Sequence, residues 1–73
     1  MIEQNDICKK FGFNVKVERM RKNYTQAYLA EIMNVSVTYI SDIERGSQNV
    51  TLKTIEKIAN ALNVDIHKLM YFD

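Results

Sequence analysis

The sequence predicts an all-α fold, a compact five-helix bundle, and three observations carry that expectation. A short punctuation phrase recurs four times at helix-length spacing. Proline is absent and only two glycines, Gly12 and Gly46, occur in 73 residues, which disfavours a turn-rich β fold. Apolar residues make up 47% and charged residues 26%, a globular balance with room for one core, so residues 1–73 read as a single domain. A chain this short buries only roughly 60% of its unfolded surface, so it depends on well-made helix ends or on a partner chain.

The first helix is expected from Asp6 to about Lys22, with Phe11 and Val15 facing inward and Asn23 able to take the left-handed conformation after it. Each later helix opens on the recurring phrase: an apolar residue, then Thr, Ser or Asp, then an apolar residue four positions on. Tyr24-Thr25 with Leu29 opens a helix from about Gln26 to Met33, and Val35-Ser36 with Ile40 opens one from Val37 to Arg45. Val50-Thr51 with Ile55 opens the fourth, Leu52 to Leu62, and Val64-Asp65 with Leu69 the fifth, Ile66 to about Tyr71. In each phrase the small oxygen-bearing side chain can accept from a first-turn amide, while the flanking apolar pair closes over it. Asn34, Gly46 and Asn63 supply left-handed exits. The inward set from the second helix onward is Leu29, Ala30, Met33, Ile40, Ile43, Leu52, Ile55, Ile58, Ala59, Leu62, Val64 and Leu69.

The residue inventory excludes most chemistry. One histidine, His67, one cysteine, Cys8, no metal-ligand cluster and no Gly-rich phosphate loop mean that no enzyme, metal or cofactor is expected. His67 reads as a surface residue and Cys8 as a partly buried apolar filler in a reducing, cytoplasmic setting. The polar, acidic start from Met1 to Asp6 is unlike a signal peptide, and no apolar run suits a membrane span. Net charge is only +1, yet from Lys9 to Lys22 six cations (Lys9, Lys10, Lys16, Arg19, Arg21, Lys22) face the single acid Glu18. That stretch is either an ordinary solvated face or an anion-facing one.

Only Asn34, Val35 and Ser36 separate the second helix from the third, which forces a steep crossing with small Ala30 at the contact. Ile40 and Ile43 form the inner face of the third helix, and Val37, Thr38, Ser41, Asp42 and Arg45 its outer face. Short side chains at the leading end suit a helix docked in the major groove, where base edges lie close.

The run from Gln26 to Gly46, QAYLAEIMNVSVTYISDIERG, resembles the helix-turn-helix of the Cro and lambda-repressor type, the xenobiotic-response-element family of regulators. Gln26, Leu29, Ala30, Val35, Ser36, Ile40, Ile43, Glu44 and Gly46 match that pattern, and the likeness extends from about residue 11 to 70. Within it, TYISDIERGSQNVTL is similar to the controller proteins of restriction-modification operons. Two departures stand out: Val37 and Gln48 occupy places where those proteins commonly carry arginine. Asn34 also replaces a frequent turn glycine.

The resemblance implies double-stranded DNA as partner, a palindromic operator, and a homodimeric regulator working in the cytoplasm on the nucleoid, with no small-molecule ligand. It implies a phosphate contact for Gln26, DNA contacts for Ser36 and Arg45, and phosphate or base contacts for Ser47, Gln48 and Asn49. Thr38 and Val37 are expected at base edges, with Val37 against a thymine methyl. Tyr39 either contacts DNA or shields the core edge. Asp42 either accepts from a cytosine amino group or pairs with Arg45. Arg19 and Glu44 resemble a pair that ties the first helix to the third. The dimer interface is expected at Met70, Tyr71 and Phe72. An antitoxin that also binds a toxin, and an interaction module that has lost DNA binding, are the alternatives.

Overall fold

Three of the four expected caps close the helices they precede. In the computed structural model, which describes residues 6–72, the Thr25, Ser36 and Thr51 hydroxyl oxygens accept from the amides of Tyr28, Tyr39 and Thr54 at 3.0, 3.0 and 3.1 Å. All three residues hold extended φ/ψ, as a cap requires, and each such bond contributes about 1 kcal/mol. They set the starts of α2 (Gln26–Met33), α3 (Val37–Arg45) and α4 (Leu52–Leu62). Among the described residues α1 (Asp6–Arg21) precedes them and α5 (Ile66–Met70) follows. Met1 to Asn5, most of the polar start, lie outside the described residues.

The fourth cap departs from expectation. Asp65 makes no side-chain bond to the first turn of α5. That short helix is held instead by burial of Leu69, and by Asn14 of α1, whose Nδ2 donates to the carbonyls of Leu69 and Tyr71, both at 2.9 Å. The helix therefore stops at Met70, one residue short of the expected end, where the asparagine takes up its terminal carbonyls.

The exits repeat one geometry four times. Asn23, Asn34, Asn63 and Gly46 have φ of 61°, 59°, 55° and 82°. After Asn34, the Val35 amide donates to Ala30 O at 2.9 Å while Asn34 donates to Glu31 O at 3.1 Å. The same paired bonds recur at Asn23-Tyr24, Gly46-Ser47 and Asn63-Val64. These are Schellman turns, and they satisfy carbonyls that each helix end would otherwise leave bare.

Among the described residues the core holds twelve buried apolar side chains, all of them in the expected inward set: Phe11, Val15, Leu29, Ala30, Met33, Ile40, Ile43, Ile55, Ile58, Ala59, Leu62 and Leu69. Two members of that set fall elsewhere. Leu52 is 80% exposed, because Val50 already packs against the core at the entrance of α4 and leaves the first helical residue outside. Val64 is half-buried, packed on the core's edge like the other entry residues Tyr24, Val35 and Val50. Cys8 is half-buried and His67 exposed, as expected.

α1 lies against α3 and α5, while α2 packs on both α3 and α4. The α1–α3 contact is unusually close. A Cβ at Gly12 would stand 2.1 Å from Ile43 O and 2.8 Å from Glu44 O. Alanine in a helix interior normally stabilises by about 1 kcal/mol over glycine. Here the sign should reverse: Gly12→Ala should destabilise by about 3 kcal/mol, as overpacking against backbone does. The urea midpoint measures this, and an unchanged or higher midpoint would mean that α1 does not approach α3 this closely.

Candidate nucleic-acid interface

The third helix is held from its inner side by a polar cluster. The Glu44 carboxylate accepts from Arg19 Nε at 2.7 Å, Arg19 Nη2 at 3.2 Å and Gln26 Nε2 at 2.9 Å. Arg19 Nη1 donates to the Tyr24 carbonyl at 2.7 Å. The two charged side chains are only 11% and 4% exposed. One carboxylate thus joins the end of α1, the start of α2 and the last turn of α3. Because a carboxylate only accepts, it also fixes which end of the Gln26 side-chain amide faces it. The expected α1–α3 pair is present, and the inclusion of Gln26 in it is new.

The outer face of α3 presents a continuous stripe. Val37 is 45% exposed, Thr38 is exposed, and Ser41 and Asp42 are half-buried one turn further on. Arg45, the last helical residue, folds back along the helix: Nη1 donates to Ser41 Oγ at 2.9 Å and Nη2 to Asp42 Oδ1. Asp42 thus pairs with Arg45 in the protein alone, through one of its two carboxylate oxygens. Ser36 is engaged as the cap, so its hydroxyl serves the helix start first. The charges carried by α3 cancel in pairs, Asp42 with Arg45 and Glu44 with Arg19.

Other expected contact residues sit apart from this stripe. Tyr39 is half-buried and packs against the core, lining a cleft with Ser36, Thr54 and Lys57. Lys57 escaped the sequence reading: it stands on α4, and only the fold brings it beside the start of α3. Ser47 donates its hydroxyl to Asp42 O at 3.1 Å, closing the turn after α3. Gln48 is half-buried in an apolar cleft with Ile7, Phe11 and Met70, while Asn49 at its rim is exposed. The three expected interface residues diverge. Met70 (37% exposed) lines that cleft, whereas Tyr71 (71% exposed) lies beside Phe13 and His67 across α1. Phe72 corrects the expectation of a surface aromatic: it is partly buried and packs on the core, because Asn14 draws the chain end down onto α1.

Removing one partner from a buried, hydrogen-bonded ion pair strands the other charge. Glu44→Ala should therefore cost about 3 kcal/mol. The double variant Arg19→Met/Glu44→Leu should cost less than the sum of its single changes. Additive losses in urea unfolding would show that the two side chains are not coupled.

Comparison with known proteins agrees with this architecture. The Helix-turn-helix family model matches residues 15–69. Control protein C.BamHI of Bacillus amyloliquefaciens is 46% identical over 69 residues, covering 93% of this chain and 85% of that protein. The crystal structure of the restriction-modification controller protein C.AhdI from Aeromonas hydrophila superposes with a TM-score of 0.81 at 34% identity, over 85% of this chain and 94% of that one. A third neighbour is the C.Esp1396I controller, solved as a tetramer in complex with its natural 35 base-pair operator. It has a TM-score of 0.77 and 35% identity, with 90% and 97% of the two chains covered. With the family model spanning most of the chain and a control protein alike along nearly its whole length, this chain belongs to the helix-turn-helix family of DNA-binding transcriptional regulators.

Proposed function

We propose that the chain is a sequence-specific regulator that docks the start of α3 in the major groove of a palindromic operator, as a homodimer. One observation carries the reading. The outer face of α3 offers short side chains, Val37, Thr38 and Ser41, at a capped leading end, while its inner face is locked by Glu44. Base edges lie close to a docked helix, so short groups at that end and a rigid mount behind them suit direct readout. The controller relatives support the same reading, since C.Esp1396I was solved on its operator. Their likeness favours an autoregulatory switch or repressor, acting in the cytoplasm on the nucleoid and without catalysis or cofactor. Among the described residues no helix is long and apolar enough to cross a membrane.

Within the interface, Thr38 and Val37 read bases, and Gln26 with the first-turn amides of α2 holds a phosphate. Tyr39, Gln48 and Asn49 take backbone contacts, with Lys57 added to them as a nearby cation. Two protomers related by a twofold axis would then read half-sites about 34–36 Å apart. The second copy is proposed at the chain end, where Met70 and Tyr71 are exposed and Phe72 supports them from the core side.

Selection of bound sites from a random duplex pool tests the proposal directly, and failure to retard any duplex at low salt would overturn it. Against a selected site, Thr38→Ala should lose about 1–3 kcal/mol while random-duplex binding stays nearly unchanged. Gln26→Ala should weaken both alike, and identical patterns for the two variants would refute this division of roles. For dimerisation, Met70→Ser/Tyr71→Ser should give a helical monomer by circular dichroism and sedimentation. A doubly substituted protein that still sediments as a dimer would move the interface elsewhere.

A further inference from the structure

The sequence of α3 contains one basic residue, Arg45, and the fold does not leave that guanidinium free to wander. It lies back over the preceding turn, with one terminal nitrogen on Ser41 Oγ at 2.9 Å and the other on Asp42 Oδ1. Two of its five N–H groups are used there, and the rest remain to donate. Asp42 is engaged through Oδ1, so Oδ2 keeps its lone pairs for another donor. The outer stripe of α3 therefore holds, side by side and in fixed relation, a planar set of donors and one strong acceptor. The arginine side chain is 62% exposed and the aspartate 25%, so both edges are open to an approaching duplex.

A carboxylate on this face has a cost. It faces a polyanion, and it cancels the one positive charge that the helix could offer to phosphates. Only a base amino group gives it a favourable contact. The major-groove edge of a G·C pair runs acceptor, acceptor, donor: guanine N7, guanine O6, cytosine N4. That is the complement of two guanidinium donors followed by a carboxylate oxygen. An A·T pair instead puts the adenine amino group in the middle, where it would meet a second donor.

We propose that Arg45 and Asp42 act as one composite reader of a G·C pair, Arg45 donating to guanine N7 and O6 and Asp42 Oδ2 accepting from cytosine N4. The proposal rests on the DNA-reading function of α3. Ser41 is a positioning residue here: its hydroxyl accepts from Arg45 Nη1 and draws the guanidinium back along the helix. Asp42 has a second effect, since pairing keeps Arg45 from serving as a general phosphate anchor. Specificity is thus gained at the expense of non-specific affinity.

Site selection from a random duplex pool, run on the wild type, Asp42→Asn and Arg45→Ala, tests this. The wild type should enrich one G·C pair at a fixed place in each half-site. Arg45→Ala should lose that preference. Asp42→Asn should weaken the preference about ten-fold and bind a random duplex more tightly. Its non-specific salt slope should steepen by about 0.9 per protomer as the released arginine takes a phosphate. The pair is surface-exposed and contributes little to folding, so unfolding curves close to wild type should accompany these changes. The composite reader is overturned if Asp42→Asn leaves both the preference and random-duplex binding unchanged. It is equally overturned if Arg45→Ala weakens all duplexes alike, the behaviour of a phosphate contact. A wild type that selects sites with no fixed G·C pair would refute the composite reader while leaving the regulator reading standing. A wild type that binds no duplex would remove both.

Discussion

With a Cβ at position 12 standing 2.1 Å from the Ile43 carbonyl oxygen, only glycine lets α1 lie against the end of α3. The rest of the arrangement follows from that approach. Gly46 ends α3 with a left-handed turn whose own Cβ would meet Lys9 at 2.6 Å, so the two glycines clear one continuous contact between the start of α1 and the exit of α3. Further along α1, Arg19 reaches Glu44 at 2.7 Å, and the carboxylate then gathers Gln26 from the next helix. A helix clamped in this way loses little freedom when it meets a rigid partner, which reduces the ordering cost of binding. The mount is polar where the core is not, so it also fixes the rotation of α3 about its own axis. Val37, Thr38, Ser41, Asp42 and Arg45 then share one outward stripe.

Much of this was legible in the chain itself, and the reason is local. Thr25, Ser36 and Thr51 cap their own helices with bonds that span three residues, and Asn34, Gly46 and Asn63 close them with bonds spanning three to five. Such features depend on near neighbours in sequence, so pattern alone exposes them. Leu52 misled for the same reason. Its spacing to Ile55 and Leu62 suits a buried stripe, but Val50 already packs at that entrance, and spacing does not record which of two apolar neighbours gets there first.

What stayed hidden depends on the assembly of distant elements. Asn14 holds carbonyls 55 and 57 residues away, so nothing around it in sequence announces the role. That contact is why the chain end turns inward and Phe72 packs on the core. Lys57 reads as one of two surface lysines on α4 until the α2–α4 packing brings it beside Ser36 and Tyr39. The partnership of Gln26 with Glu44 joins residues that the family likeness had given separate tasks, one facing phosphate and one facing α1. In the fold one bond orients the Gln26 amide and braces α3 together.

The charge pattern separates two tasks that DNA-binding proteins often combine. Affinity for any duplex comes from cations against phosphates, and it carries no sequence information. On α3 the charges cancel in pairs, and the basic residues between Lys9 and Lys22 belong to α1 and the turn after it. The face proposed to meet base edges is therefore close to neutral, and on that proposal non-specific attraction comes from its surroundings, including Lys57 beside its leading end. A neutral reading face suppresses binding at the many wrong sites more than at the right one, because only the right one repays the desolvation of Asp42 and Arg45. For a domain with a net charge of +1, discrimination then rests on hydrogen-bond geometry more than on the number of cations. That geometry is in turn only as exact as the mount behind α3, which returns the burden of specificity to Gly12, Arg19 and Glu44 on its hidden side.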